Sequence, residues 1–277
     1  MPTVEINGVK SEVAKDTLLI DVLRAVGVWI PTLCAHGALE HYDSCRLCLV
    51  EVEQRGRKRI VTACSYPIRS DCAVRSEAPE AVRARTGMME LLLARAPESP
   101  ELKALALRMG IEGTRFPSVT KAERNCILCG LCVRVCAERI GAGGIGFTSR
   151  GTDRLVAPPF REPSEDCIGC GACAAICPVG SIEVAFDEGS GELEIVPFET
   201  RLPARRCTDC GAPLTGEPHA KRIEKAAFKT PNAASLCDAC KRKRFAETIA
   251  LARLRVRPEP SAGHPDPADS NGSRPGG

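Results

Sequence analysis

The chemistry of this chain is concentrated in its thiols. Seventeen of the 277 residues are cysteine, and nearly all of them sit in Cys-x-x-Cys pairs or longer runs. Cys34, Cys45, Cys48 and Cys64 follow C-x10-C-x2-C-x15-C. Cys126, Cys129, Cys132 and Cys136 follow C-x2-C-x2-C-x3-C, and Cys167, Cys170, Cys173 and Cys177 repeat that spacing, with Pro178 next in line. Cys207-x2-Cys210 and Cys237-x2-Cys240 are two pairs separated by 26 residues. Thiols this close in sequence make poor structural staples, but they present soft ligands to one metal centre. The opening segment, MPTVEINGVK, has no apolar signal region, and no stretch reaches the roughly 18 apolar residues of a membrane span. A cytoplasmic location is therefore expected, and in a reducing compartment metal ligation explains the cysteines better than disulfides do.

Each group implies its own centre. The loop ALEHYDSCRLC can wrap a small cluster and aim backbone N–H groups at its sulfurs. Four thiolates there suit a [2Fe–2S] cluster; zinc is the alternative, but zinc sites usually come as two close pairs, whereas Cys34 stands alone by ten residues. The doubled run has the bacterial two-cluster ferredoxin spacing, in which the fourth Cys of each run ligates the other cluster. That rule assigns Cys126, Cys129, Cys132 and Cys177 to one [4Fe–4S] cluster, and Cys167, Cys170, Cys173 and Cys136 to the second. Gly130, Gly169 and Gly171 free the backbone to close around them. Ala137 stands where the second run has a proline, which weakens the turn but not the ligation. Cys207, Cys210, Cys237 and Cys240 read as a zinc-ribbon site, with mononuclear iron or a further cluster as the alternative. Cys72 is left over and reads as a partly buried free thiol.

The elements that position these groups form an α+β chain. Val4–Ile6 and Val9–Val13 read as strands joined at Asn7-Gly8, a strong hairpin signal. TLLIDVLRAVG, 17–27, has helical spacing with Asp16 or Thr17 as cap and Gly27 as stop. Leu49–Glu53 and Arg59–Thr62 alternate as strands, residues 79–112 are helical with a break at Pro-Glu-Ser-Pro, and Ile182–Phe186 and Glu192–Val196 flank DEGSG as a hairpin. The expected units are a [2Fe–2S] ferredoxin-like domain of β-grasp type at 1–78, a helical linker at 79–120, a 2[4Fe–4S] ferredoxin domain at 121–200, a zinc-ribbon-like docking arm at 201–257 and a disordered tail at 258–277.

The motifs IPTLCAH, SCRLCLVEVE and VTACSYPI resemble the domain that opens the large iron–sulfur subunit of respiratory complex I and the diaphorase iron–sulfur subunit of NAD-linked [NiFe] hydrogenases. NCILCGLCVRVCAE, DCIGCGACAAICPVGSI and the joining segment GIGFTSRGTDRLVAPPF resemble the same subunits. The resemblance covers residues 3–187, about two-thirds of the chain. Members of that group carry a His-x3-Cys-x2-Cys-x5-Cys site between the two domains. Here the segment reads LLLARAPESPELKALALRMG, and neither His nor Cys occurs between Cys72 and Cys126, so that cluster is expected to be absent and the electron path shorter or differently routed.

No nucleophile–base pair or open catalytic metal site stands in a credible context. Gly141–Gly146 matches G-x-G-x-x-G, but lacks the strand before and helix after that a nucleotide site needs, and reads as a tight connector. His36 reads as a polar loop residue, His219 as a weak alternative ligand, and Met88 and Met89 as core. Lysine plus arginine number 38 against 35 acidic residues, and aromatics make up 4% of the chain; both argue against a broad nucleic-acid surface or a base-stacking platform. The run Lys241–Arg257 carries seven basic residues against Glu247 and reads as a solvated face or a docking surface for an acidic partner. The chain is therefore expected to be a non-catalytic electron-relay subunit. The resemblance implies an FMN- and NAD(P)-binding flavoprotein partner and a further redox subunit of hydrogenase or formate dehydrogenase type. An electron-bifurcating component is the alternative, and a redox-sensing DNA-binding protein the third reading.

Overall fold

A computed structural model describes residues 1–119, 125–227 and 234–255. The tail expected from 258, and the end of the basic run, lie outside the described residues. Strands β1 (Thr3–Ile6) and β2 (Val9–Glu12) form an antiparallel hairpin, with Asn7 at φ 49° and Gly8 at φ 93°, the positive pair that a two-residue primed turn requires. Helix α1 (Leu19–Ala25) follows, then β3 (Leu49–Gln54), β4 (Arg57–Thr62) and β5 (Cys72–Arg75). The five strands order as β2-β1-β5-β3-β4, mixed because β1 and β5 run parallel. Arg55 and Gly56 at the β3–β4 turn both have positive φ, so this hairpin uses the same turn chemistry without an Asn to announce it. Leu19, Ile20, Val22 and Leu23 on one face of α1 pack with Val4, Ile6, Val50, Val52 and Val74 from the sheet.

The start of α1 departs from its sequence reading. Neither Asp16 nor Thr17 caps it. Leu18 is the extended flanking residue, the Leu19 N–H donates to the Tyr66 carbonyl at 2.9 Å, and the Thr17 hydroxyl turns back to the Ala14 carbonyl at 2.8 Å. The strand-like contact of Leu18 with Pro67 satisfies the helix end from across the fold, so no local cap is needed.

Helices α2 (Pro79–Arg95) and α3 (Pro100–Arg108) each begin at a proline, whose missing N–H is no loss in a first turn. Ser99 caps α3, accepting from the Leu102 N–H at 3.2 Å. Met89, Leu92, Leu93 and Leu102 of these helices enter a second core that contains Cys34, Cys45, Leu47, Cys129, Cys132, Ile176 and Ile195. Four thiols, Cys34, Cys45, Cys129 and Cys132, are thus core residues shared between segments far apart in sequence.

The second cysteine region contains two short helices, α4 (Leu131–Arg134) and α5 (Ala172–Ala175), and a hairpin of β6 (Gly146–Thr148) and β7 (Leu155–Ala157). A π-helical turn, Val135–Ile140, extends α4 and carries Cys136 and Ala137; Gly141 at φ 70° ends it. The second run instead stops at Cys177-Pro178. Strands β8 (Glu183–Asp187), β9 (Glu192–Val196), β10 (Thr200–Arg206) and β11 (Pro213–Gly216) form an antiparallel sheet in the order β11-β10-β9-β8. Strand β10 crosses the boundary expected at residue 200, so the C-terminal arm begins inside this sheet instead of following it. Helices α6 (Glu217–Ala226) and α7 (Asp238–Arg255) complete the arm. No described helix is long and apolar enough to cross a membrane.

Candidate iron–sulfur and metal centres

Cys34, Cys45, Cys48 and Cys64 converge between the sheet and the loop that precedes β3, and all four are buried. Cys48 enters β3, and Cys64 lies in the 3-10 turn that follows β4; the Ala63 N–H ties the two ends together by donating to the Cys48 carbonyl at 2.9 Å. The Cys45 N–H points at Cys34 Sγ and the Leu33 N–H at Cys45 Sγ, both at 3.4 Å. Hydrogen bonds from Cys45 and Cys64 hold the Cys34 thiol far below its usual range, while the same contacts push Cys45 and Cys64 upward. The group is set up to share negative charge in a dry pocket, the condition under which a bound cation lets all four thiols ionise.

Two cavities lie in the second region. The first, about 370 Å³, is lined by Cys126, Cys129, Cys132 and Cys177. The second, about 30 Å³, is lined by Cys136, Cys167, Cys170 and Cys173. Each cavity thus receives the fourth cysteine of the opposite run. The Leu128 N–H faces Cys126 Sγ at 3.4 Å and the Ser181 N–H faces Cys177 Sγ at 3.3 Å. Burial pushes Cys129 and Cys173 each up to about 12. Bare, such thiols keep their protons, and a cationic iron core would supply the missing stabilisation of their thiolates. The donor sets and the convergent N–H groups fit iron–sulfur clusters.

The two halves have different covers. Over the first, the Ser44 hydroxyl donates to the Leu128 carbonyl at 3.3 Å, Arg134 donates to the Glu40 carbonyl at 2.7 Å and Arg139 to that of Ala38. The Tyr42 ring lies 3.5 Å from where a Cβ on Gly130 would stand. The loop that carries Cys34 and Cys45 therefore rests directly on the Cys126–Cys129 turn. Over the second, β11 covers the Cys167–Cys170 turn. The Gly216 N–H and the Thr215 hydroxyl both donate to the Gly169 carbonyl, at 2.9 and 3.1 Å, and the His219 N–H donates to the Ile168 carbonyl at 3.2 Å. A Cβ on Gly169 would stand 2.9 Å from Gly216 Cα, and one on Gly216 2.6 Å from the Ile168 oxygen. Only glycine fits on either side of that approach.

In the arm, the sulfurs of Cys207, Cys210, Cys237 and Cys240 all lie within 4.8 Å of one another. Four metal–sulfur bonds of about 2.3 Å in a tetrahedron place sulfurs roughly 3.8 Å apart; Cys210 Sγ and Cys237 Sγ are 3.7 Å apart. That spacing suits one metal ion and is too tight for a four-iron core. The Cys237 N–H donates to Cys207 Sγ at 3.4 Å and holds that thiol down at about 6. His219 is not among these ligands; its Nδ1 pairs with the Thr215 hydroxyl at 2.7 Å. His36 Nδ1 accepts from the Ala38 N–H at 3.1 Å, a loop-shaping contact. Cys72 is buried in β5 opposite Val4, in the core that also holds Cys48 and Cys64. Gly144, within the connector that mimics a nucleotide motif, packs where a Cβ would stand 3.3 Å from the Cys167 nitrogen, a close approach that its motif context did not reveal.

These features define an iron–sulfur protein with ferredoxin-type parts. Residues 1–79 match a 2Fe-2S iron-sulfur cluster binding domain and residues 163–183 a 4Fe-4S binding domain. About two-thirds of the chain is similar to part of NADH-ubiquinone oxidoreductase subunits. It is 30% identical to the mitochondrial NADH-ubiquinone oxidoreductase 78 kDa subunit of Neurospora crassa over 201 residues, which are 64% of this chain and 27% of that one. It is 28% identical to the NADH-ubiquinone oxidoreductase 75 kDa subunit of Reclinomonas americana over 219 residues, 70% of this chain and 31% of that one. The chain thus spans between a quarter and a third of the length of these relatives. A solved NAD+-reducing [NiFe]-hydrogenase in the H2-reduced state contains a chain with the same fold, at 26% identity and a TM-score of 0.54, covering 65% of this chain and 85% of that one.

Proposed function

We propose that this chain is a non-catalytic electron-relay subunit of a cytoplasmic NAD(P)-linked oxidoreductase complex, of hydrogenase or formate dehydrogenase type. In this reading Cys34, Cys45, Cys48 and Cys64 hold a [2Fe–2S] cluster, and Cys126, Cys129, Cys132 and Cys177 a [4Fe–4S] cluster. Cys136, Cys167, Cys170 and Cys173 hold the second [4Fe–4S] cluster, and Cys207, Cys210, Cys237 and Cys240 a zinc ion. The clusters supply reversible one-electron chemistry; the chain holds their ligands, dries their surroundings and sets their order. The observation that carries the reading is the direct seating of the Cys34–Cys45 loop on the Cys126–Cys129 turn through Ser44 and Leu128. It supports a path from the first group into the doubled run without the intermediate site that larger relatives place between them.

The arm supports a docking role: α7 exposes Phe245 and Ile249 one turn apart beside Lys241, Arg242 and Lys243, a mixed apolar and basic face suited to an acidic flavoprotein or redox partner. Metal analysis and EPR of the anaerobically purified full chain test the reading. The expected result is iron and sulfide for one [2Fe–2S] and two [4Fe–4S] clusters with one zinc. Iron in place of the zinc, or a missing cluster signal in fully loaded protein, would overturn the corresponding assignment.

A further inference from the structure

Arg95 is the last residue of α2, at the point where the chain enters the segment that replaces the relatives' additional cluster site. Its Nε–H donates to the carbonyl of Cys126 at 2.9 Å and its Nη2 to the carbonyl of Arg154 at 3.0 Å. The side chain is half-buried, and among the described residues no carboxylate forms an ion pair with it. An arginine spent on two backbone carbonyls is uncommon where a carboxylate could serve, because its forked charge normally seeks an anion. The anion expected beside it is the thiolate-ligated centre itself.

We infer that Arg95 raises the reduction potential of the centre at Cys126, Cys129, Cys132 and Cys177. The inference rests on the cluster assignment proposed above. Reduction adds one negative charge to the centre, and a half-buried guanidinium stabilises that charge more than it stabilises the oxidised form. Its bond to the Cys126 carbonyl also neutralises the negative end of a dipole at the cluster's edge. Among the described residues, the other charges near the cavity are Glu98 and Glu183 in its lining, Glu101 with its carboxylate oxygens 3.4 Å from where a Cβ on Gly180 would stand, all three exposed, and Arg154, whose guanidinium lies over the Phe147 ring at 4.1 Å. The three carboxylates oppose Arg95 from better-solvated positions, where screening weakens them.

Potentiometric EPR titration of the full, anaerobically loaded chain tests the inference, with the Cys126-side signal identified as the one lost in Cys129→Ser. Arg95→Gln is expected to lower the potential of that signal alone, and Arg95→Lys, which keeps the charge but loses the fork, to stay near the wild-type value. Glu98→Gln, on an exposed rim residue, is expected to move the same signal upward. Arg95→Gln with full iron and an unchanged potential overturns the inference, as does an equal shift of both [4Fe–4S] signals, which would report a general disturbance. If Arg95→Lys falls as far as Arg95→Gln, the hydrogen bonds act and the charge does not. If Arg95→Gln does not load, Arg95→Met takes its place, and full iron with an unchanged potential in that variant overturns the inference. If the wild-type chain shows only one [4Fe–4S] signal, the cluster assignment fails and the inference with it; two signals insensitive to Arg95 leave the assignment standing.

Discussion

The two cysteine runs share one spacing and differ in what lies on top of them. The third residue of each, Leu128 and Gly169, has a left-handed backbone, at φ 54° and 68°. In the first run a leucine tolerates that conformation because its carbonyl is held by Ser44 and its side chain is only partly buried. In the second run a side chain is impossible, because Gly216 of the arm lies against the turn. The repeat therefore dictates the backbone, while the neighbour dictates the residue. The first half is built to meet the N-terminal thiol group, and the second to be closed by the arm.

Exchanging the residues at this position breaks the comparison most strongly. Gly169→Leu should displace β11 and cost about 2–4 kcal/mol, from left-handed strain together with the clash against Gly216. Hydrogen exchange across β11 and α6 would report the release. The reciprocal Leu128→Gly should stay within about 1 kcal/mol of wild type, since relief of strain offsets the lost burial. An equal response to both exchanges in thermal unfolding would show that the arm does not select the glycine.

A smaller effect is expected at the equivalent glycines one step on. Gly130→Ala faces the Phe147 ring at 3.4 Å, a side-chain edge that can shift, so its cost should be about 1–2 kcal/mol of left-handed strain alone. Calorimetric unfolding that ranks it above Gly169→Leu would contradict the difference in covers.

Testing the metal proposed for the arm should sharpen the picture. Cys240→Ser is expected to lose zinc and the order of α7 while keeping the EPR signals of the iron–sulfur centres, because β10 and β11 are held by their own sheet and by Gly169. Loss of the Cys167-side signal in that variant would show that the metal, and not the sheet, closes the second half.

The smallest effect concerns the ion pairs that brace α6 against β10. Arg205 meets Glu217 at 2.7 Å and Glu224 at 2.8 Å, and the Arg205 guanidinium holds the Glu217 carboxyl below its usual range. A depressed folded pKa stabilises the arm above the usual carboxylate value and is lost as pH falls through the lowered one. Glu217→Gln should therefore flatten the acid limb of a plot of melting temperature against pH, and leave the neutral and alkaline side parallel to wild type.

Much of this architecture is legible from residue order. Asn7-Gly8 announces its hairpin, the 2-residue alternation of 49–53 its strand, and the stretch from Pro79 its helix, whereas Pro100, read as part of a break, in fact opens α3. What stays hidden depends on distant partners. Tyr66 supplies the acceptor that makes a cap at Asp16 or Thr17 unnecessary, and Arg55 adopts a turn conformation normally signalled by Asn or Gly. The same holds at the sites. The four cysteine groups stand out by spacing, but the covers at Ser44, Gly144 and Gly216, and the pairing of Arg95 with Cys126, join residues between 23 and 84 positions apart, and no local pattern announces these pairings.

The central claim is that this chain passes electrons and does not generate them. Stopped-flow absorbance with parallel freeze-quench EPR, on the loaded full chain mixed anaerobically with NADH, tests it most directly. Alone, the chain should stay oxidised; with its flavoprotein partner added, the [2Fe–2S] and [4Fe–4S] signals should appear together with NADH consumption. Reduction of the isolated chain by NADH would contradict the account.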